Sequence, residues 1–278
     1  MKTLYLECFS GISGDMTVGA LLDLGADEAR LREALASLPI QGFEIQISRI
    51  KKSGLDACDF DVILDAEHEN HDHDMEYLYG ASHEHSDTHE HTFDHSHSVH
   101  THEHHPHEHR GLVEILDILD HTQLTDRARA TANRIFTILG EAEAKAHGTT
   151  LEEVHFHEVG AVDSIVDIVS AAVCLDSLDV QEVVVPVLYE GCGTVRCQHG
   201  VLPVPVPAVS NIAAAQHLKL HITGLPGEFV TPTGAAIVAA IRTSDTLPEQ
   251  FTIEHIGLGA GKRCYEGASG LLRAMLIR

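Results

Sequence analysis

The sequence has no tryptophan, few aromatic residues and a shortage of basic side chains, and each shortage disfavours a class of function. Aromatic residues make up 5% of the 278 residues, which is poor material for a surface that stacks single-stranded nucleic acid. Lysine and arginine number 18 against 42 aspartate and glutamate residues, and the formal net charge of −24 disfavours nucleic acid and anionic membranes as partners. Cations are the expected ligands of such a chain.

Long apolar runs and a disulfide framework are also lacking. No stretch of 18 apolar residues is present, so no membrane-spanning helix is expected, and the opening MKTLYLECFSG is interrupted too early by Glu7 for a signal peptide. Six cysteines are spread along the chain without the spacing of a disulfide framework. We therefore expect a cytoplasmic protein with free thiols.

Hydrophobic periodicity divides the chain into three parts. Residues 1–66 predict a βααββ unit, in which Asp27 caps the second helix and a Ser53-Gly54 turn joins the last two strands. Residues 67–109 contain few apolar side chains and predict a disordered insertion. Residues 110–278 return to helices and strands, with VQEVVVPVLY predicted as one strand. The predicted fold class is α/β, with a mixed sheet covered by helices.

The predicted insertion is dominated by histidine, with fifteen in residues 68–109. Imidazole suits Ni²⁺, Cu²⁺ and Zn²⁺, and the neighbouring carboxylates add charge attraction. A flexible segment of this kind binds several ions weakly, which is typical of a metal store or a delivery arm, although a solvated spacer has the same composition. The candidate metal ligands in this segment are His83, His85, His89, His91, His95, His97, His100, His102, His104, His105, His107 and His109.

A sharper candidate metal site lies in HFHEVGAVD. Strand-like alternation places His155 and His157 on one face, where they can grip one ion, and Glu158 falls near the start of the next helix. On that helix Asp163 and Asp167 are i, i+4 neighbours on an otherwise apolar surface, which predicts a narrow acidic stripe lining a cleft. The alternative is that the aspartates form an exposed edge and the histidines bond to backbone groups.

A second, weaker candidate lies in GCGTVRCQHG. Cys192, Cys197 and His199 are potential ligands, but their spacing departs from the usual C-x₂-C zinc pattern. Transient metal ligation by the thiols and a hairpin with incidental cysteines both remain open.

Two glycine-containing helix starts are candidate anion sites, because backbone N–H groups at a helix N-terminus hold phosphate or carboxylate. The two segments are SGISGDM and TPTGAA. In SGISGDM, Asp15 can hold a cation beside such a phosphate. Ordinary helix capping is the alternative for both segments. GLGAGKR is rejected as a P-loop because Arg263 replaces the Ser or Thr and a strand precedes it without a following helix. The candidate cofactor-binding residues are Ser10, Gly11, Ser13, Gly14, Thr231, Thr233 and Gly234.

Four stretches, in order along the chain, carry a family resemblance: ECFSGISGDMTVGALLDLG, HFHEVGAVDSIVDIV, GTVRCQHGVLPVPVPAV and EFVTPTGAA. Together they resemble the LarC family of nickel insertion proteins, although Glu7 stands where the family usually has Asp. The resemblance implies a CTP-dependent cyclometallase, a lyase that inserts nickel into pyridinium-3,5-bisthiocarboxylic acid mononucleotide to complete the nickel-pincer cofactor of lactate racemase. It also implies Mg²⁺ or Mn²⁺ and a C-terminal CTP-binding domain, before which this chain is expected to stop.

The resemblance and the residues together suggest roles and partners. Forming a Ni–C bond requires loss of a ring proton, so Glu158, a histidine of HFHE, or Asp15 is the expected catalytic group. Expected partners are a C-terminal polypeptide, lactate racemase or cofactor synthesis proteins, and further copies of the chain in a homo-oligomer. Two alternatives remain: a non-catalytic nickel store or metallochaperone, and a metal-dependent hydrolase using the histidines and aspartates of HFHEVGAVD.

Overall fold

A computed structural model describes residues 2–65, 110–154, 156, 162–197 and 200–278. The predicted disordered insertion at 67–109 lies outside the described residues. Within the described ranges, no helix has both the length and the apolar character that crossing a membrane requires. The described residues form seven helices and ten strands, which confirms the predicted α/β class with a mixed sheet.

The strands form one large sheet and two ribbons. The six-stranded sheet has the order β2-β3-β9-β10-β1-β4, while β5 pairs with β8 in parallel and β6 pairs with β7 antiparallel. Within the large sheet, β1 is antiparallel to β10 and parallel to β4, so the sheet is mixed. In chain order the strands are β1 (Thr3–Glu7), β2 (Phe43–Lys52), β3 (Leu55–Leu64), β4 (Glu182–Val184), β5 (Leu188–Cys192), β6 (Thr194–Cys197), β7 (Gly200–Pro203), β8 (Leu220–Pro226), β9 (Ile253–Ala260) and β10 (Leu271–Ile277).

Helices cover the sheet. The first lies on β9 and β3 and packs against the fifth, which in turn contacts the second and the fourth. In chain order the helices are α1 (Gly14–Asp23), α2 (Glu28–Ala36), α3 (Leu112–His121), α4 (Asp126–His147), α5 (Val162–Ser177), α6 (Pro207–Gln216) and α7 (Pro232–Ile241).

The alternation of side chains along β1 shows how the core is divided. Leu4 and Leu6 point into the main core beneath the helices, while Tyr5 points to the opposite face and joins Met275 and Ile277 in a smaller cluster. Successive residues of a strand face opposite sides, so this apolar strand is buried on both faces.

Several helix boundaries follow the predicted signals. The Asp27 side chain accepts hydrogen bonds from the N–H groups of Ala29 and Arg30, at 3.0 and 3.1 Å, as the predicted cap of α2. Gly148 ends α4 in the left-handed conformation, with φ of 66°. Pro232 occupies the first position of α7, where its missing N–H costs nothing.

The prediction of one strand over VQEVVVPVLY is wrong. The segment forms β4 and β5, which belong to different sheets, with a break around Pro186. After β4, the N–H of Val185 donates to Ser244 O at 3.0 Å, so the chain leaves the ladder of β1 before it reaches proline. Proline has no N–H to donate to a neighbouring strand. After the break, β5 pairs with β8 in a separate ribbon.

Candidate functional site

A cleft of about 330 Å³ opens where α1, α5 and α7 begin, beside the end of β3 and the loop between β9 and β10. Residues predicted from three separate sequence motifs line it together. Its lining includes Ser10, Ser13, Gly14, Asp15, Asp163, Asp167, Thr231 and Thr233 from the sequence predictions, and Asp61, Glu228, Phe229, Lys262, Arg263 and Tyr265, which were not predicted.

Two glycines let the loops before α1 and α7 run side by side. A Cβ on Gly11 would lie 1.9 Å from Phe229 O, and one on Gly234 would lie 2.2 Å from Ile12 O. The N–H of Ile12 donates to Phe229 O at 3.0 Å, and the N–H of Thr231 donates to Ile12 O at 3.1 Å. Gly11 and Gly234, predicted as cofactor-binding residues, therefore join the two loops, and neither is part of the described cleft lining.

Two of the helix N-termini at the cleft, those of α1 and α7, already have hydrogen-bond partners for some of their N–H groups. The Thr231 hydroxyl caps α7 by accepting the N–H of Gly234 at 3.1 Å. At α1 the hydroxyl of Ser13 donates to the Asp15 carboxylate, and the N–H of Asp15 donates to the carboxylate of Asp167. A carboxylate from α5 therefore holds the start of α1, where a phosphate was predicted to bind.

Asp15, Asp163 and Asp167 form an acidic cluster in the cleft. Burial raises the pKa of Asp167 well above its usual range, and the charges of Asp15 and Asp163 raise it further. Burial also raises the pKa of Asp15, against the effect of its hydrogen bond from Ser13. A Cβ at Gly14 would lie 2.3 Å from Asp167 Oδ2, so only glycine leaves room for this carboxylate. The predicted acidic stripe of α5 thus faces the cleft and α1.

One oxygen of Asp167 in the acidic cluster lacks a hydrogen-bond donor within the part of the chain that the structure describes. Asp167 Oδ1 is buried and has no hydrogen-bond partner among those residues. Within the same ranges, no three His, Cys, Asp or Glu side chains are arranged to hold a metal ion. The predicted ligands His155 and His157, and the predicted base Glu158, lie outside the described residues. Phe156 between them is buried, and its N–H donates to Arg110 O at 3.1 Å.

Lys262 supplies a positive charge beside the acidic cluster. Its Nζ donates to Asp59 Oδ1 at 2.7 Å and lies 3.3 Å from Asp61 Oδ1. Burial lowers the pKa of Lys262, but the hydrogen bond and charge of Asp59 outweigh that effect and leave the pKa raised. Its charge also lowers the pKa of Asp15 and Asp167, so it partly neutralises the cluster.

Arg263 and Tyr265 form a second polar group on the cleft wall. An Arg263 nitrogen lies 2.6 Å from Glu228 Oε2, and the Tyr265 hydroxyl donates to Glu228 O at 2.6 Å. The ring of Tyr265 lies against that of Phe229, with centroids 4.6 Å apart and planes tilted by 41°. The segment GLGAGKR is the end of β9 and the start of the loop that leads to β10, so no helix follows it and its rejection as a P-loop stands. Its last residues, Gly261, Lys262 and Arg263, nevertheless line the cleft.

Glu190, on β5, supports this wall from inside the protein. Its side chain is fully buried, and Oε1 accepts the N–H groups of Phe229 at 2.7 Å, Val230 at 3.2 Å and Gly191 at 2.8 Å. Burial raises the pKa of Glu190 to about 7, against the lowering effect of these hydrogen bonds. Its Oε2 is buried without a hydrogen-bond partner in the described ranges.

The predicted cysteine ligands lie beside the cleft wall. Cys192 ends β5 and Cys197 ends β6, and both are partly exposed and outside any disulfide. Neither belongs to the described lining of the cleft, although Cys192 O accepts the N–H of Gly227 at 3.0 Å, one residue before Glu228. His199 lies outside the described residues.

Sequence comparison places these features among known proteins. A family model described as nickel insertion protein matches residues 4–278. A pyridinium-3,5-bisthiocarboxylic acid mononucleotide nickel insertion protein of Alkaliphilus metalliredigens is 53% identical over 274 residues, which cover 99% of this chain and 60% of the relative. Proteins of the same name from Acetivibrio thermocellus and Geobacillus kaustophilus are 37% and 38% identical over 276 and 277 residues, with the same coverage. The chain thus spans about 60% of the length of these relatives, and no solved structure matches it.

Proposed function

The chain belongs to the nickel insertion protein family, and from this premise we propose that it inserts nickel into pyridinium-3,5-bisthiocarboxylic acid mononucleotide, the compound in the names of its relatives. The observation that carries this proposal is the convergence of the loop before α1, the acidic stripe of α5 and the start of α7 on one cleft. These segments are distant in sequence, and their meeting supports a single site that handles both a cation and a small ligand.

The acidic cluster is the proposed nickel side of the cleft. Asp163 and Asp167 lie at the start of α5, directly after the HFHE segment that offers His155 and His157. A combination of imidazole and carboxylate ligands suits a divalent transition metal. Sulfur groups on the substrate then compete with these ligands for the ion, and the ion transfers from the protein to the substrate. Nickel is the substrate of this reaction.

The chemistry needs a base as well as a metal site. Ni²⁺ forms two bonds to sulfur and one to a ring carbon, and the ring carbon loses its proton while the metal remains divalent. The candidate bases are Glu158, a histidine of HFHE and Asp15. The raised pKa of Asp15 supports Asp15, because the charged form of a carboxylate with a higher pKa is a stronger proton acceptor. The proton passes from the base to solvent.

The hydroxyl-bearing side of the cleft is the proposed position of the substrate phosphate. Ser10, Ser13, Thr231 and Thr233 offer hydroxyl groups there, and Lys262 offers a positive charge. The Thr231 hydroxyl already caps α7, that of Ser13 already donates to Asp15, and that of Ser10 is hydrogen-bonded to the Ser269 hydroxyl at 2.8 Å. Thr233 is therefore the better candidate to bind a phosphate.

The remaining parts of the proposal rest on the family resemblance. They comprise use of CTP with Mg²⁺ or Mn²⁺, a lyase activity, a cytoplasmic location, and delivery to lactate racemase or cofactor synthesis proteins. A C-terminal polypeptide that binds CTP and a homo-oligomeric assembly are proposed in the same way. No step through CTP, Mg²⁺ or Mn²⁺ is assigned to this chain, since its described residues offer no three-ligand metal site.

The decisive experiment is to incubate the chain with nickel, CTP and the metal-free mononucleotide, with and without the C-terminal part of a longer relative. Mass spectrometry and absorbance follow the nickelated product. Product in either mixture supports the proposal. Absence of product in both mixtures, when the full-length relative is active under the same conditions, contradicts it.

Substitutions at the proposed nickel side test its residues. Asp163→Asn, Asp167→Asn, His155→Ala and His157→Ala are each expected to lower the rate of nickel transfer about tenfold or more, because each removes a candidate ligand. Single-turnover product formation measures the effect. Asp117→Asn, on the exposed surface of α3, is the matched control and is expected to leave the rate unchanged. Full rates in all four site variants mean that nickel is handled elsewhere.

A nickel store or metallochaperone is the second candidate, and the fifteen histidines of residues 68–109 favour it. Deletion of residues 69–109 separates the two functions. An insertase is expected to keep its turnover at saturating nickel and to lose several bound ions per chain by elemental analysis. Loss of turnover at saturating nickel would instead make the insertion the functional element.

A further inference from the structure

Tyr265 is held in a fixed position on the cleft wall. Its ring lies over Gly227, where a Cβ would come within 2.4 Å of Tyr265 Cε1, and against the nearly fully buried ring of Phe229. Its hydroxyl donates to Glu228 O at 2.6 Å. Tyr265 is itself only partly buried and lines the cleft, so a preorganised aromatic surface is available to a ligand.

The charges around the ring favour a cation over an anion at this position. Arg263, two residues before Tyr265 in the same loop, already forms an ion pair with Glu228 at 2.6 Å. The other carboxylates of the described lining, Asp15, Asp61, Asp163 and Asp167, face one lysine, Lys262. An aromatic face attracts cations through its quadrupole, and those carboxylates that keep their charge add to that attraction.

We propose that Tyr265, backed by Phe229, is the platform on which the cationic pyridinium ring of the mononucleotide stacks. This inference rests on the proposed function, which supplies the substrate class, and it assigns the ring to a residue outside the predicted motifs. Stacking there places the ring between the aromatic wall and the acidic cluster, which is where a ring carbon must lie to meet the metal.

The test uses three probes that differ only in the part under question. Nicotinamide mononucleotide has a pyridinium ring and a phosphate, its 1,4-dihydro form has an uncharged ring, and ribose 5-phosphate has no ring. Calorimetric titration of the chain measures each affinity, and NMR follows the ring protons. The pyridinium form is expected to bind about tenfold more tightly than the dihydro form, with an upfield shift of its ring protons.

Two substitutions assign the effect to Tyr265. Tyr265→Leu is expected to weaken binding of the pyridinium form about tenfold and to abolish the upfield shift. Tyr265→Phe retains the ring and is expected to retain the shift, while Tyr189→Leu, at a ring outside the described cleft lining, is the matched control. Thermal melting shows whether the variants are folded. If Tyr265→Leu does not fold, Tyr265→Phe and the comparison of the three probes still test the platform.

Equal affinities for the charged and uncharged rings, no binding of any probe, or an unchanged shift in Tyr265→Leu would overturn the platform. If the shift is lost in both substitutions, the hydroxyl and not the ring is responsible, and the platform is again wrong. Nickel transfer by the wild-type chain is measured separately. Transfer without selective ring binding leaves the proposed function standing, and selective ring binding without transfer leaves the platform standing.

Discussion

Gly259→Ala is expected to lower the free energy of unfolding by about 3 kcal/mol or more, because a methyl group on β9 has no room beneath α1. A Cβ at this position would lie 1.9 Å from Met16 O and 2.5 Å from the nitrogen of Ala20. Both atoms belong to the backbone of α1, so no side-chain rotation can relieve the overlap. Chemical denaturation followed by circular dichroism measures the loss.

The same contact connects stability to the cleft. Gly19 on α1 faces Gly259, and a Cβ on Gly19 would lie 3.2 Å from the Gly259 Cα, so the helix rests directly on the strand. α1 carries Asp15 and Met16 into the cleft lining. A displaced helix therefore moves the acidic cluster as well, and Gly259→Ala is expected to lower affinity for any ligand of the cleft even where the chain still folds.

Gly224→Ala is the matched comparison. Gly224 has φ of +76° and no atom within 4 Å of a Cβ, so alanine there meets backbone strain but no overlap. Its expected cost is about 1 kcal/mol, the usual penalty for a left-handed residue with a side chain. Equal destabilisation by the two substitutions would show that α1 can move away from the sheet, and would contradict the rigid contact.

The glycines of GLGAG illustrate what a local pattern cannot reveal. The spacing invites comparison with a phosphate loop, and the rejection of that comparison stands because β9 leads through a loop into β10. Their role is close packing: Gly257 and Gly259, two residues apart on β9, both face α1. Close approach between a strand and a helix distant in sequence is a tertiary property, and composition alone does not contain it.

Local signals predicted the regular elements well because their causes are local. The cap at Asp27 and the left-handed end at Gly148 depend on neighbouring backbone groups, which the sequence itself supplies. The strand over VQEVVVPVLY was wrong because pairing partners decide where a strand ends. β4 pairs with β1 while β5 pairs with β8, and no local pattern distinguishes those partners.

The candidate site was predicted in its parts but not in its assembly. The sequence suggested Asp15 in one motif and the pair Asp163 and Asp167 in another, and the structure adds that Asp167 binds the N-terminus of α1. Lys262 was missed because the segment that contains it, GLGAGKR, was rejected as a P-loop, and Tyr265 was missed because it follows that segment in a loop and carries no motif. Only the folded sheet brings the loop between β9 and β10 to the start of α1.

Glu190→Gln is expected to remove a pH-dependent contribution to the free energy of unfolding. That contribution is as large as the loss that many core substitutions cause. The pKa of Glu190 is raised from 4.5 to about 7 in the folded chain, so the folded state holds its proton more strongly than the unfolded state. Stability from this group is fully present below about pH 4.5, is lost as the pH rises towards 7, and is constant above. Between pH 5 and pH 8 the loss is about 2–3 kcal/mol.

Glutamine retains the acceptor that holds the cleft wall while it removes the titration. Its carbonyl oxygen can accept the N–H groups of Gly191, Phe229 and Val230 as Oε1 does now. The free energy of unfolding of the variant, minus that of the wild type, is therefore expected to rise by about 2–3 kcal/mol from pH 5 to pH 8. Denaturation at several pH values measures this difference.

Charged and titratable groups near Glu190 affect the pH dependence of stability that this experiment measures. Glu228 lies close enough to raise the pKa of Glu190, and the charge of Glu190 in turn raises that of Tyr265. Glu249→Gln, which makes the same change at an exposed position, is the control. A flat difference for Glu190→Gln would mean that the carboxylate stays charged throughout this pH range, and that its three backbone hydrogen bonds at least balance the effect of its burial. A rising difference would make the cleft wall a segment whose stability depends on a proton held inside the protein.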